Sequence, residues 1–250
     1  EDLTRLFRYS VARHQVDTIQ RLMDEAKYGP AKSYLTEYEK ARRTLFGYVR
    51  NNNQRKVEQL TQKFGYGLTE PADQMTGLMI AAQFGQDNLL TYFLAGGADK
   101  GRQDLLGRTA LQHLILGYDR NTVKKGGLAK WYPRLAPRMG FNRYRGRQYS
   151  INPKSMEFFM VTMINALRRD VFDASDPISR QCLLINDVLE VIEEMPGNIL
   201  PEYRRRRQYV SGILSKNEVD RDDRYNKRLL IRRSRGCYDL HPEAEIVWEG

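Results

Sequence analysis

Residues 76–99, TGLMIAAQFGQDNLLTYFLAGGAD, decide the fold of the N-terminal half. Two apolar runs are separated by Gly85, and the second run is followed by the Gly96-Gly97 pair. Glycine readily adopts the left-handed backbone that ends a helix or makes a tight turn. The small Ala81-Ala82 pair allows two helices to approach closely. The stretch therefore predicts two helices joined by a turn.

The beginning of this stretch recurs along the chain at intervals of about 33 residues. Similar segments start at Arg43 (RTLF), Thr76 (TGLM) and Thr109 (TALQ). The region from about residue 75 to residue 115 closely resembles the ankyrin repeat. This resemblance implies a stacked array of helices that binds a protein partner and has no chemistry of its own. Because each repeat covers only its neighbours, several copies are needed to build a core.

Two less regular copies precede this region. Residues 44–64 form a degenerate copy, residues 6–23 resemble another, and the polar residues 27–40 lie between them as an insertion. We therefore predict ankyrin-like repeats over residues 1–119. Gln112 occupies the position where the family usually has a histidine, so we interpret the neighbouring His113 as a structural residue.

The basic residues are concentrated in two blocks. The chain has 250 residues and a formal net charge of +10. Residues 120–156 contain ten basic residues and no acidic one, and residues 202–235 contain twelve basic and five acidic residues. This distribution favours a polyanionic partner, with nucleic acid as the first candidate.

The first block coincides with a predicted connector at residues 120–152. Glycines and prolines interrupt it, so it cannot be one regular helix, and residues 147–151 are compatible with a short strand. Its aromatic residues, among them Trp131, alternate with arginines. That composition suits single-stranded nucleic acid, where bases stack on aromatic rings. It equally suits a segment whose aromatic residues are buried on the repeats while the arginines reach solvent.

The last hundred residues predict three helical segments followed by a β-hairpin. Helix starts are indicated at Asn152-Pro153 and Ser175-Asp176-Pro177, and a third helix is predicted from Glu202 to Lys216. Strands at residues 227–231 and 237–240 flank a turn at residues 234–236. This order resembles the winged helix-turn-helix domain, which we assign to residues 153–250. The predicted fold class is mainly α, with an ankyrin-like array followed by a winged-helix-like α+β domain.

The resemblance implies a recognition helix at residues 202–216 and a wing at the hairpin. The residues predicted to bind nucleic acid are Arg204, Arg205, Arg206, Lys216, Arg232, Arg233 and Arg235. Duplex DNA is favoured over a single strand. The predicted function is a DNA-binding adaptor that recruits a protein partner through its repeats. The alternative is an interaction subunit or effector whose basic blocks meet an acidic protein surface without any nucleic acid.

No catalytic or metal-binding motif is recognisable. The chain has no Walker A loop, no Gly-x-Gly-x-x-Gly and no His-Glu-x-x-His, so we expect no catalysis, cofactor or metal. Its two cysteines, Cys182 and Cys237, are expected to be small buried residues without a pairing role.

A membrane or secreted location is not expected. The longest strongly apolar stretch, residues 158–167, is about half the length needed to cross a bilayer. No signal-peptide pattern opens the chain, which predicts a cytoplasmic, nucleoid or nuclear protein.

Overall fold

The protein is mainly helical, with two small antiparallel sheets, in a computed structural model that describes residues 2–167 and 183–249. The helices are α1 (Asp2–Ala12), α2 (Val16–Ala26), α3 (Gly29–Arg50), α4 (Gln54–Phe64), α5 (Gly77–Gln83), α6 (Asp87–Ala95), α7 (Ala110–Asp119), α8 (Lys125–Leu135), α9 (Met156–Leu167), α10 (Ile185–Glu194) and α11 (Arg207–Lys216), with a 3₁₀ helix at Glu202–Arg204. The strands are β1 (Met139–Tyr144), β2 (Arg147–Ile151), β3 (Leu183–Leu184), β4 (Leu230–Ser234), β5 (Cys237–Leu240) and β6 (Glu245–Glu249).

The chain divides into two compact units. The first contains residues 1–81 and 86–99, and the second contains residues 82–85 and 100–250. The sequence-based boundary after residue 119 differs from this division by one helix, because α7 packs on α8 and α9 and so belongs to the second unit.

The first unit is built from helices that pack on their neighbours in the chain. Helix α1 contacts α2, α2 contacts α3, and α3 contacts α4. The polar residues 27–40, which look like an insertion in the sequence, are mostly the first half of the long helix α3, which has Pro30 in its first turn. Proline suits this position because the N–H groups of a first helical turn have no intrahelical partner.

In two of the three repeat copies, the recurring threonine caps the start of a helix. Before α5, the Thr76 hydroxyl accepts a hydrogen bond from the Met79 N–H. Before α7, Thr109 and Gln112 form a capping box, which satisfies N–H groups left free at the helix start. The first copy is different, since Thr44 lies inside α3 and its hydroxyl donates to the Lys40 carbonyl.

The two helices predicted from residues 76–99 are confirmed as α5 and α6. The turn between them places Gly85 at a φ of +60°, and the chain leaves α6 through Gly97 at a φ of +77°. Both values lie in the left-handed region that favours glycine.

The predicted connector is an integral part of the second unit. Helix α8 buries Trp131 completely. Strand β2 confirms the short strand predicted at residues 147–151, and β1 lies between β2 and the C-terminal strand β6. Strand β6 was not predicted from the sequence. Gly140 is required in β1, since a Cβ there would lie 2.4 Å from the Trp248 ring.

The second sheet has the strand order β3-β5-β4. Strands β4 and β5 form the predicted hairpin around Arg235 and Gly236, and Gly236 adopts a φ of +75°. Strand β4 begins at Leu230 rather than at residue 227 because the preceding loop is held in another conformation. In that loop the buried Asn226 side chain donates to the Glu218 and Arg221 carbonyls. The helix start predicted at Ser175 lies outside the described residues.

A buried carboxylate organises the loop before α7. Asp104 accepts hydrogen bonds from the Leu106 and Arg108 N–H groups and lies 2.8 Å from Nε2 of His113. Burial by itself would raise the pKa of Asp104, but the hydrogen bonds from His113 and the Arg108 N–H outweigh it and lower that pKa below its ordinary value. His113 is almost fully buried beside this carboxylate, in agreement with a structural role.

The expectation that the cysteines do not pair is wrong for Cys237, which is disulfide-bonded. Cys237 is buried at the start of β5, opposite Leu184 in β3. Sequence spacing does not reveal such a bond, because strand pairing brings together segments that are far apart in the chain. Cys182 lies outside the described residues.

Candidate nucleic-acid interface

Helix α11 presents one buried face and one exposed face. Val210 and Leu214 are buried, and α11 packs on α9. The exposed residues of α11 are concentrated in its first two turns: Arg207, Gln208, Tyr209 and Gly212. The first half of this helix is therefore the part available to a ligand.

The helix is shorter than the sequence predicted. Residues 202–204 form a 3₁₀ turn, and α11 begins only at Arg207, because Arg206 has an extended backbone and occupies the N-cap. The prediction of one helix from Glu202 to Lys216 is thus wrong at its start. Arg204 and Arg205 precede the helix instead of lying on its surface.

Arg204 and Arg205 are held by other parts of the protein. The Arg204 guanidinium donates to the Lys154 carbonyl and to the Tyr203 hydroxyl. The Arg205 guanidinium donates to the Leu200 carbonyl at 2.9 and 3.1 Å and to the Glu193 carbonyl at 3.0 Å. These carbonyls have no helix N–H to accept from, so Arg205 satisfies backbone groups near the end of α10.

The turn of the β4–β5 hairpin carries three of the predicted cations. Arg232, Arg233 and Arg235 are all exposed. Arg232 lies over the Tyr238 ring and donates to the Ser234 carbonyl, and Arg233 lies 3.7 Å from the Asp239 carboxylate. Within the described residues, the Arg235 side chain makes no hydrogen bond or ion pair.

Two residues at the start of α10 connect the hairpin turn to the start of α11. The Ile185 N–H donates to the Gly236 carbonyl at 2.9 Å. Next to it, the Asn186 side chain accepts a hydrogen bond of 2.7 Å from the Arg207 guanidinium. The hairpin turn and the first turn of α11 are thereby joined through adjacent residues. We call this pair of elements the basic edge, defined by Arg206, Arg207, Arg232, Arg233 and Arg235.

Lys216 lies at the opposite end of α11. Its ammonium group is 3.9 Å from a Glu157 carboxylate oxygen and 4.9 Å from the centre of the Tyr225 ring. It therefore lies about 14 Å along the helix axis from Arg207, and its charge already has a partner.

The predicted residues thus fall into two groups. Arg206, Arg232, Arg233 and Arg235 lie on the two elements of the basic edge, whereas Arg204, Arg205 and Lys216 interact with other parts of the protein. Arg207 belongs to the basic edge but was not among the predicted contacts. Its link to Asn186 depends on tertiary packing, so only the continuous run of four arginines, residues 204–207, could have indicated it.

The exposed face of α10 has the opposite charge. Its exposed or half-exposed acidic residues are Asp187, Glu190, Glu193 and Glu194. This acidic face limits the area on which a polyanion can bind. A nucleic acid on the basic edge must therefore approach from the side of α11 and the hairpin.

The comparisons with known proteins give no family. No protein-family model matches the chain, and no curated protein is similar to it in sequence.

None of the described helices is both long enough and apolar enough to span a bilayer. Across residues 2–167 and 183–249, no three His, Cys, Asp or Glu side chains come together as a metal site would require.

Two of the ten basic residues in 120–156 are paired with acidic residues, and two more lie against an aromatic ring. Arg143 lies 3.5 Å from Glu245, and Arg145 lies 3.1 Å from Glu243. The Glu243 hydrogen bond raises the pKa of Arg145 further above its ordinary value. Lys130 and Arg134 lie against the ring of the buried Trp131. A buried ring cannot stack on a base, so the structure favours the packing role for this aromatic residue.

Proposed function

We propose that the protein is a non-enzymatic DNA-binding adaptor, with a winged-helix-like part that holds duplex DNA and an ankyrin-like part that binds a protein. The observation that carries this proposal is the basic edge. Two separate elements, the first turn of α11 and the β4–β5 turn, carry exposed arginines, and each is hydrogen-bonded to one of two adjacent residues of α10, Asn186 and Ile185.

The order of elements supports a winged-helix interpretation. Helix α9 is followed by β3, α10, α11, β4 and β5, and β5 pairs with both β3 and β4. In this interpretation α11 is the recognition helix and the β4–β5 hairpin is the wing. The recognition helix of such domains contacts bases through its N-terminal residues, which here are the exposed first turns of α11.

The distribution of charge supports phosphate contacts in particular. Arg206 and Arg235 make no side-chain hydrogen bond or ion pair with any described residue. An arginine without an acidic partner can neutralise a phosphate and release its counterions without first breaking an internal ion pair. Arg232 and Arg233 are exposed on the same hairpin and would reach the neighbouring DNA backbone.

The protein-binding half of the proposal comes from the repeat pattern. Helices α5 and α6 have the turn glycines and helix caps that the ankyrin resemblance implies. Such arrays are scaffolds whose surfaces bind proteins, so the array would recruit a partner to the DNA held by the basic edge.

Fluorescence anisotropy with labelled duplex and single-stranded DNA of random sequence tests this proposal. We expect the duplex to bind more tightly, with an affinity that falls by orders of magnitude between about 50 and 200 mM salt. A preference for the single strand would contradict the role of α11 and the hairpin. Absence of binding at the lowest salt would refute the DNA-binding function.

A second candidate function is a protein-interaction subunit that binds no nucleic acid. The observation favouring it is the acidic face of α10 next to the basic edge, because a surface of both signs suits a protein partner with complementary charges. Under this alternative, the same titration shows no anisotropy change with either DNA.

A further inference from the structure

A groove in the first unit lies outside the elements assigned to DNA. It runs between α2 and α3 and has a volume of about 710 Å³. Its α3 wall is a stripe of residues spaced three or four apart from Lys32 to Thr44, and its α2 wall contains Gln20 and Met23. Much of this stripe comes from the segment that the repeat pattern does not explain, residues 27–40.

The uncharged polar groups of the groove are already satisfied. The hydroxyls of Thr36 and Thr44 donate to carbonyls of their own helix, one turn earlier. The Gln20 amide donates to the Asp24 carboxylate at 2.8 and 2.9 Å. The side chains of Met23 and Leu35 are half-exposed beside them. Because the polar groups already have hydrogen-bond partners within the protein, this surface suits apolar groups of a ligand.

The charged groups of the groove are different. Lys32, Lys40 and Arg43 are exposed, and none of the three side chains forms a hydrogen bond or an ion pair within residues 2–167 and 183–249. The one acidic residue in the lining, Glu39, is paired with Arg42 at 3.0 Å. The groove therefore presents three uncompensated positive charges around an apolar floor.

The spacing of these cations suits an elongated ligand. Lys32 and Arg43 are separated by eleven residues of α3, which corresponds to about 16 Å along the helix axis. This length equals about three turns of a helical peptide laid along the groove. Apolar side chains on one face of such a peptide would cover the floor, and its acidic residues would meet the cations.

We propose that this groove binds an acidic amphipathic segment of a partner protein. The segment places bulky apolar side chains on Met23 and Leu35 and carboxylates near Lys32, Lys40 and Arg43, as in the helix-in-groove mode of recognition. The proposal rests on the protein-binding half of the proposed function and specifies the partner's chemistry. Nucleic acid is disfavoured because a phosphate backbone has no group that the apolar floor would bury.

A direct test uses the full chain and three labelled peptides of about 16 residues in fluorescence polarisation. The first peptide has Leu and Phe on one helical face and Glu on the other. The second replaces Leu and Phe by Ser, and the third replaces Glu by Lys. We expect saturable binding of the first peptide only, since the other two lack either the apolar face or the negative charge.

The residues are tested by a double charge reversal, Lys40→Glu with Arg43→Glu. It should weaken binding of the first peptide at least about tenfold. The matched control is Arg55→Glu with Lys56→Glu, which reverses two exposed cations of α4 that have no partner within the described residues. It should change the affinity less than about twofold. A third variant, Leu35→Ser, tests the floor and should weaken binding while leaving the circular dichroism spectrum unchanged.

The outcomes separate the proposal from its rivals. Equal effects of the two charge reversals, or equal binding of the Ser-substituted peptide, would overturn it. Direct binding of labelled duplex DNA that is weakened by the Lys40/Arg43 reversal and unchanged by the Arg55/Lys56 reversal would instead make the groove a polyanion site. Failure of the DNA titration leaves this test intact, because the groove shares no residue with the basic edge.

Discussion

Replacing both Arg206 and Arg235 by alanine removes two exposed charges that have no partner within the described residues. Because no acidic group is left unpaired, the substitution should leave the folded structure intact and act on DNA binding alone. Each lost phosphate contact reduces the slope of log K against log salt by about 0.9. Two contacts therefore reduce the slope by about 1.8, which corresponds at 0.1 M salt to an approximately 60-fold weaker affinity, or about 2.4 kcal/mol.

Anisotropy titrations of a labelled duplex at several salt concentrations measure both quantities. The matched control is Arg143→Ala with Arg145→Ala, since these arginines are paired with Glu245 and Glu243. Removing them should change the affinity less than about threefold, through longer-range electrostatics only. Equal slopes for the parent and the Arg206/Arg235 variant would refute the assignment of the basic edge, as would an equal effect of the control.

Three further predictions concern the framework that positions the two proposed surfaces. Asp104→Ala should lower the free energy of unfolding by about 4 kcal/mol, because three buried hydrogen bonds lose their acceptor. Urea titrations measure the difference in unfolding free energy between the parent and this variant. That difference should become smaller as the pH falls below 3.8, the ordinary pKa of Asp104. The lowered pKa in the folded state means that the ionised carboxylate stabilises the fold, and this contribution is lost when the carboxylate is protonated. If the difference in unfolding free energy became larger in acid, the lowered pKa of Asp104 would be contradicted. Reduction of the disulfide of Cys237 should lower the free energy of unfolding by about 2–4 kcal/mol, and a reactive thiol in the unreduced, denatured protein would disprove the bond. Gly117→Ala should lower the melting temperature because its Cβ would lie 2.2 Å from the Gln83 carbonyl oxygen, whereas Gly47→Ala, with open space around it, should raise it.

The sequence predicted elements that are determined by nearby residues. Helices α5 and α6 are determined locally, because Gly85 and Gly97 supply the left-handed turn conformations and Thr76 caps the first helix. The hairpin turn at Arg235 and Gly236 was also predicted correctly, since a glycine with positive φ lies between two strand-forming segments. Each of these signals lies within a few residues of the structure it specifies.

Features that depend on residues far apart in the chain could not be predicted from the local sequence. Thr44 belongs to a sequence copy that resembles a repeat start, yet it lies inside α3, because the preceding residues are helical as well. The run of four arginines was predicted to lie within one helix. In the fold, the Arg205 side chain instead reaches the Glu193 and Leu200 carbonyls, and the helix begins two residues later. Such contacts depend on where the end of α10 lies in space, which the local sequence does not encode.

The same distinction explains why a local charge count overstates the free positive charge of the predicted connector. Residues 120–156 contain no acidic residue, and the pairing of β1 with β6 brings Glu245 alongside Arg143. Glu243, just before β6, pairs with Arg145. Surface ion pairs of this kind contribute little to stability, but they cancel the charge that a phosphate would otherwise contact. Within the described residues, Asp239 is the acidic group paired with an arginine of the β4–β5 turn. Arg206 and Arg235 have no partner among those residues, and the proposal that DNA binds at this turn and at the start of α11 follows from the fold's strand pairing as much as from its composition.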